Sequence, residues 1–191
     1  MSNVDFIKSL ALKHREVDPF FSYVECGVYK GTTFFQVYDL CQQLFAHSCC
    51  YAVDSFSGFP DIVVEVDGEG RHLENGYWNN YESKFYFQCE DKPNIRVIKT
   101  EFSNLEANMP NVWYDLVFLD CDLYNSYLDC LNFFHDKTDL FVLDEYYSLK
   151  YPGAKVAVDE WMLKNPGWEL FCEKEEDPYW ERWGMRRRST S

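Results

Sequence analysis

Short, unbroken apolar runs alternate along the chain with segments of helical length. Residues 22–26, 50–54, 95–98, 114–120 and 140–144 read as strands. Residues 31–45, 78–88, 126–135 and 154–163 read as helices, the last opened by Pro152-Gly153, and 105–109 fits a short helical turn. Residues 168–171 and 184–188 are expected to form a closing hairpin. The strands are continuously apolar rather than alternating. That pattern predicts an α/β chain with a mostly parallel sheet covered by helices on both faces. Residues 57–80 are the least regular part, a polar stretch holding Asp61, Glu65, Asp67, Glu69 and Glu74. No internal repeat and no linker interrupts the 191 residues, so residues 1–191 are expected to form one domain.

In sheets of this kind ligands bind beyond the carboxyl ends of the strands. The residues there are Glu25-Cys26-Gly27, Asp54-Ser55, Thr100-Glu101, Asp120-Cys121-Asp122 and Asp144-Glu145. Four of these five clusters end a strand in a carboxylate. The formal net charge of -14 reinforces the acidic character. Such a surface repels phosphate backbones and anionic membranes, which argues against nucleic acid and membrane as partners. The basic run Arg186-Arg187-Arg188 reads as a last strand or solvated tail. No stretch approaches the roughly 20 apolar residues of a membrane span, and no signal peptide is evident. The eight cysteines form no CxxC pair. They are expected to be reduced, several of them small core residues, in a cytoplasmic chain.

Three motifs carry candidate chemistry. Glu25 to Gly31 follows a strand and opens a helix, in the spacing E-x-G-x-x-x-G. Gly27 and Gly31 allow a tight turn and close approach of a ligand. This is not the G-x-G-x-x-G that holds a pyrophosphate, which disfavours a nicotinamide dehydrogenase. The leading carboxylate suits a cationic ligand. Asp54 ends the next strand, 27 residues after Gly27, where an acid can accept hydrogen bonds from ribose hydroxyls. Together the two motifs point to an adenosine-containing cationic ligand such as S-adenosylmethionine. The third motif is Asp120, Asp122, Asp144 and Glu145. Carboxylates brought together on neighbouring strands repel and need a cation or protons. An oxygen-only set suits Mg2+ or another divalent cation and disfavours zinc.

With these pieces in order, the chain resembles the macrocin O-methyltransferase family of sugar-modifying enzymes. The matching segments are Tyr23-Val24-Glu25-Cys26-Gly27-Val28-Tyr29-Lys30-Gly31, Asp54-Ser55-Phe56-Ser57-Gly58-Phe59-Pro60, Leu119-Asp120-Cys121-Asp122-Leu123-Tyr124, Leu143-Asp144-Glu145-Tyr146, and Pro152-Gly153-Ala154-Lys155 running on to Glu160. The resemblance implies a Rossmann-like class I methyltransferase fold of seven strands, the last antiparallel, acting on a sugar hydroxyl of a glycan or glycosylated natural product. It implies that Glu25, Gly27, Gly31, Asp54, Ser55, Asp120 and the run Thr100-Glu101-Phe102 contact S-adenosylmethionine. It implies Asp120, Asp144 and Glu145 as metal ligands and Asp122 as general base. Tyr124, Tyr146 and Tyr147 are candidate acceptor contacts, and Glu65, His72, Tyr77 and Trp78 a candidate lid. The chain departs from the family with Glu145 in place of aspartate, with Cys121 between the aspartates, and with only about 20 residues before the first strand. The short start and the surplus of aromatics suggest a homodimer. A catechol-type phenol acceptor, or a non-catalytic domain retaining the fold, are the alternatives.

Overall fold

The computed structural model describes residues 1–70, 73–74, 76–173 and 181–188. Among them the strands are β1 (Phe20–Cys26), β2 (His47–Asp54), β3 (Ile95–Lys99), β4 (Leu116–Leu119), β5 (Leu140–Leu143), β6 (Trp168–Glu173) and β7 (Arg182–Arg187). They form one sheet in the order β3-β2-β1-β4-β5-β7-β6. β1 to β5 pair in parallel, and β7 enters antiparallel between β5 and β6. The closing hairpin places Arg186 against Glu169 and Arg187 against Asp139, so two members of the basic run are strand residues held by surface ion pairs. Strand order reverses between β1 and β4, which is where a crevice opens in a doubly wound sheet.

The helices are α1 (Asn3–Arg15), α2 (Thr32–Leu44), α3 (Val64–Asp67), α4 (Glu82–Cys89), α5 (Leu105–Asn108), α6 (Tyr124–Phe134) and α7 (Pro152–Lys164). One face of the sheet packs its core with Phe6, Ile7 and Leu10 of α1 and Phe34 and Val37 of α2. The other packs Leu105 of α5, Tyr127 and Leu131 of α6 and Ala157 and Trp161 of α7. None of the eight cysteines is in a disulfide, and five of them are buried.

Three elements differ from the sequence reading, one of them α3, a short helical turn inside the stretch read as irregular. α1 was not expected, although its signals are present. Ser2 and Asp5 form a reciprocal capping box, and the buried residues Phe6, Ile7, Leu10 and Ala11 follow at helical spacing. The helix expected from residue 78 begins instead at Glu82. Trp78 and Asn80 adopt left-handed backbone conformations, φ 71° and 72°, which break a right-handed helix. Among the described residues no helix is long and apolar enough to cross a membrane.

Candidate functional site

The carboxyl ends of β1 and β4 almost touch. A Cβ on Gly27, where φ is +89°, would stand 2.0 Å from the backbone oxygen of Asp120. Glycine is therefore required there by both sterics and backbone conformation. The turn that follows is fastened by Asp54. Its Oδ2 accepts the backbone N–H groups of Val28 (2.9 Å) and Tyr29 (3.0 Å), and its Oδ1 accepts that of Phe56 (2.7 Å). A carboxylate offers about four lone-pair sites. Three are used by the protein's own backbone, which leaves about one for a ligand. Its first role is to shape the loop.

The next loop closes on itself. Phe59 N donates to Tyr77 O and Gly76 N to Phe59 O, both at 2.9 Å. Gly58 (φ +81°) allows this, since a Cβ would meet Tyr77 O at 2.3 Å. Asp67, 3% exposed, staples the loop to the fold: Oδ2 accepts Val63 N (2.9 Å) and Oδ1 accepts Tyr124 N at the start of α6 (2.8 Å).

These loops wall a cavity of about 370 Å³ over the β1/β4 crevice, within the usual size range of small-molecule sites. Of the residues expected to meet the cofactor, Gly27, Asp54, Ser55, Glu101, Phe102 and Asp120 line it. Asp122, Asp144 and Glu145 line it as well. Glu25, Gly31 and Thr100 do not. Glu25 is 1% exposed and lies beneath the turn, with the Tyr23 hydroxyl donating to it at 2.6 Å. Burial pushes its carboxyl up to about 8 against the stabilising Tyr23 hydrogen bond, with Asp144 and Asp54 adding to the rise. Gly31 backs onto Phe35 and Phe85, and Thr100 accepts a hydrogen bond from Asn108.

The candidate acceptor tyrosines also lie outside the cavity lining. Tyr124 donates to Glu160, Tyr146 is buried and donates to Asp159, and Tyr147 is exposed and packs on Tyr146 and Trp183. Of the candidate lid, Trp78 lines the cavity and Tyr77 supports it edge-on at 4.7 Å. Glu65 sits in α3, and His72 lies outside the described residues.

The acidic rim has a definite internal arrangement. Oxygen atoms of Asp120, Asp122 and Glu145 all lie within 4.8 Å of one another. Glu145 is 3% exposed and is held from α6, whose Tyr127 hydroxyl donates to its Oε2 at 2.7 Å. Asp144 stands outside this trio, on the exposed side. Even so, it is the largest charged neighbour raising the carboxyls of Asp120, Asp122 and Glu145, second in each case only to burial. Asp122 is pushed up to about 7 and adopts φ 61°, a left-handed conformation uncommon for aspartate. The donor set is all oxygen, and among the described residues that line the cavity Lys150 is the only cation. The residues therefore fit a divalent cation.

That lysine, Lys150, escaped the sequence reading along with Tyr151, Ser126 and Ser148. Lys150 Nζ lies over the rings of Trp78 (5.2 Å) and Tyr151 (4.6 Å) and lowers the Asp122 carboxyl. It belongs to no motif, and its position just past the end of β5 was the available signal.

No protein-family model matches the chain, and no curated protein matches it in sequence. Solved structures do match in fold. Calicheamicin methyltransferase CalS11 superposes with a TM-score of 0.73 at 16% identity, covering 97% of this chain and 78% of that one. The O-methyltransferase NovP gives 0.73 at 21% identity, covering 97% and 79%. The S-adenosylhomocysteine-bound methyltransferase PaMTH1 of Podospora anserina gives 0.62 at 10% identity, covering 99% and 80%. At such identities it is architecture that is shared: the chain has the Rossmann-like class I methyltransferase fold.

Proposed function

We propose that this chain is an S-adenosylmethionine-dependent O-methyltransferase that acts on a sugar hydroxyl with a divalent cation. The observation that carries the reading is the meeting, in one cavity, of the Asp54-fastened glycine turn with the carboxylates of Asp120, Asp122, Asp144 and Glu145. The fold neighbours support the transferase class, and PaMTH1 supports the cofactor class.

Gly27, Asp54, Ser55, Glu101 and Phe102, which line the cavity, would meet the cofactor, and the acids would meet the acceptor hydroxyl. Asp120 and Glu145, with Asp144 on the exposed side of them, would hold the cation, which when bound would polarise an acceptor hydroxyl and lower its pKa. Asp122 would receive the proton that the hydroxyl loses as the methyl group passes from the cofactor's sulfonium, whose C–S bond breaks to leave a neutral thioether, to the acceptor oxygen. Without a cation, burial and Asp144 push the Asp122 carboxyl up to about 7, toward the range in which a carboxyl exchanges protons near neutral pH. Phe59, Trp78 and Tyr151 also line the cavity, and the apolar face of a sugar ring would pack on such surfaces.

The test is calorimetric titration with S-adenosylmethionine and with NAD, followed by methyl-transfer assays on sugar and catechol acceptors with Mg2+ or EDTA. Binding of S-adenosylmethionine but not NAD, with Mg2+-dependent methylation of a sugar, is the expected result. Transfer only to catechols would move the acceptor to the phenol class. Failure to bind S-adenosylmethionine would end the enzyme reading.

A further inference from the structure

α1 contributes a residue to the acidic rim. Asn3, the first residue of the helix, donates from Nδ2 to Asp144 Oδ1 across 141 positions of sequence. Asp144 needs such a partner. It sits at the exposed end of β5 and lines the same cavity as Asp120, Asp122 and Glu145, where repulsion among carboxylates favours a swing toward water. An amide N–H on Oδ1 restrains that swing and leaves Oδ2 for the cavity that Asp144 lines.

The other end of the amide carries a cost to the fold. Asn3 Oδ1 is buried without a hydrogen-bond partner among the described residues. An orphaned buried acceptor is unfavourable, so an aliphatic side chain would suit the fold as well or better. The helix does not depend on the asparagine either. Its start is capped by Ser2 and Asp5, and its body is anchored by Phe6, Ile7 and Leu10.

We infer that Asn3 is a positioning residue, which holds Asp144 in place for cation binding at the acidic rim. The inference rests on the metal-dependent reading above. Hydrogen-bond partners of ligating carboxylates typically contribute 10–100-fold to metal affinity.

The experiment measures Mn2+ binding to the full chain by electron paramagnetic resonance, together with the metal-free melting temperature. The proteins are wild type, Asn3→Ala and Asn3→Leu, the last keeping bulk without a donor. The expected result is Mn2+ affinity reduced about tenfold in both variants, with melting temperatures equal to or above wild type. Unchanged Mn2+ affinity would overturn the role of Asn3 while leaving the metal site intact. Weaker binding with a parallel fall in melting temperature would also overturn it, because the side chain would then act through the stability of α1. If wild type itself bound no Mn2+, the metal-dependent reading would fall and this inference with it.

Discussion

The backbone oxygen of Asp120 sits where a Cβ of Gly27 would have to be, only 2.0 Å from that position. The ends of β1 and β4 thus close to a distance only glycine permits, and the crevice beneath the cavity takes its shape from that approach. Gly27→Ala must push the two strands apart and also hold alanine at a φ near +89°. A loss of about 3 kcal/mol or more in unfolding free energy is expected, with loss of S-adenosylmethionine binding. Urea titration and calorimetry on the same preparation check both. A fully stable variant would mean that the strands have slack.

Asp54 accepts three backbone hydrogen bonds before any ligand arrives. Asp54→Ala should therefore destabilise the ligand-free protein by about 2 kcal/mol, and weaken S-adenosylmethionine binding as well. A variant with normal stability and weakened binding would assign Asp54 to the ribose alone.

Asp122→Asn should leave S-adenosylmethionine affinity within about twofold of wild type and reduce turnover by about 10²–10⁴-fold, the usual contribution of a general base. The variant keeps the size of the side chain at a backbone position of φ 61°, which asparagine tolerates as well as aspartate. Comparing kcat with the cofactor dissociation constant decides the matter. Unchanged kcat would remove Asp122 from the proton-accepting role.

Glu25 makes stability pH-dependent in a direction opposite to that of an ordinary ion-paired carboxylate. Its folded carboxyl is raised from 4.5 to about 8, so between those values the folded chain holds a proton that the unfolded chain has lost. Stability from this group is complete below about 4.5 and is lost as pH rises through about 8. Glu25→Gln is neutral at every pH and can still accept the Tyr23 hydrogen bond. Thermal melts of the metal-free protein from pH 5 to 9 should show wild type falling relative to Glu25→Gln. Parallel curves would mean that Glu25 is ionised throughout.

The sequence by itself determined the alternation of strands and helices, because short continuous apolar runs separated by segments of helical length suit a parallel sheet covered on both faces. It also determined which residues end the strands, and hence that Asp54, Asp120, Asp122, Asp144 and Glu145 face one cavity. Local spacing was enough there, because strand ends in this architecture converge on one edge. The capping box of α1 was legible too, but nothing local shows that the helix starts beside Asp144. That proximity, like the closing of Asp67 onto Tyr124 N, joins residues far apart in sequence and exists only once the sheet has formed. Tyr124, Tyr146 and Tyr147 adjoin the acidic motifs in sequence, yet their side chains leave the cavity for Glu160, Asp159 and the outer surface. Lys150 and Tyr151 reach it instead, because the loop after β5 turns back over the sheet. The direction of a side chain leaving a loop depends on what packs against it, and only the tertiary structure decided that.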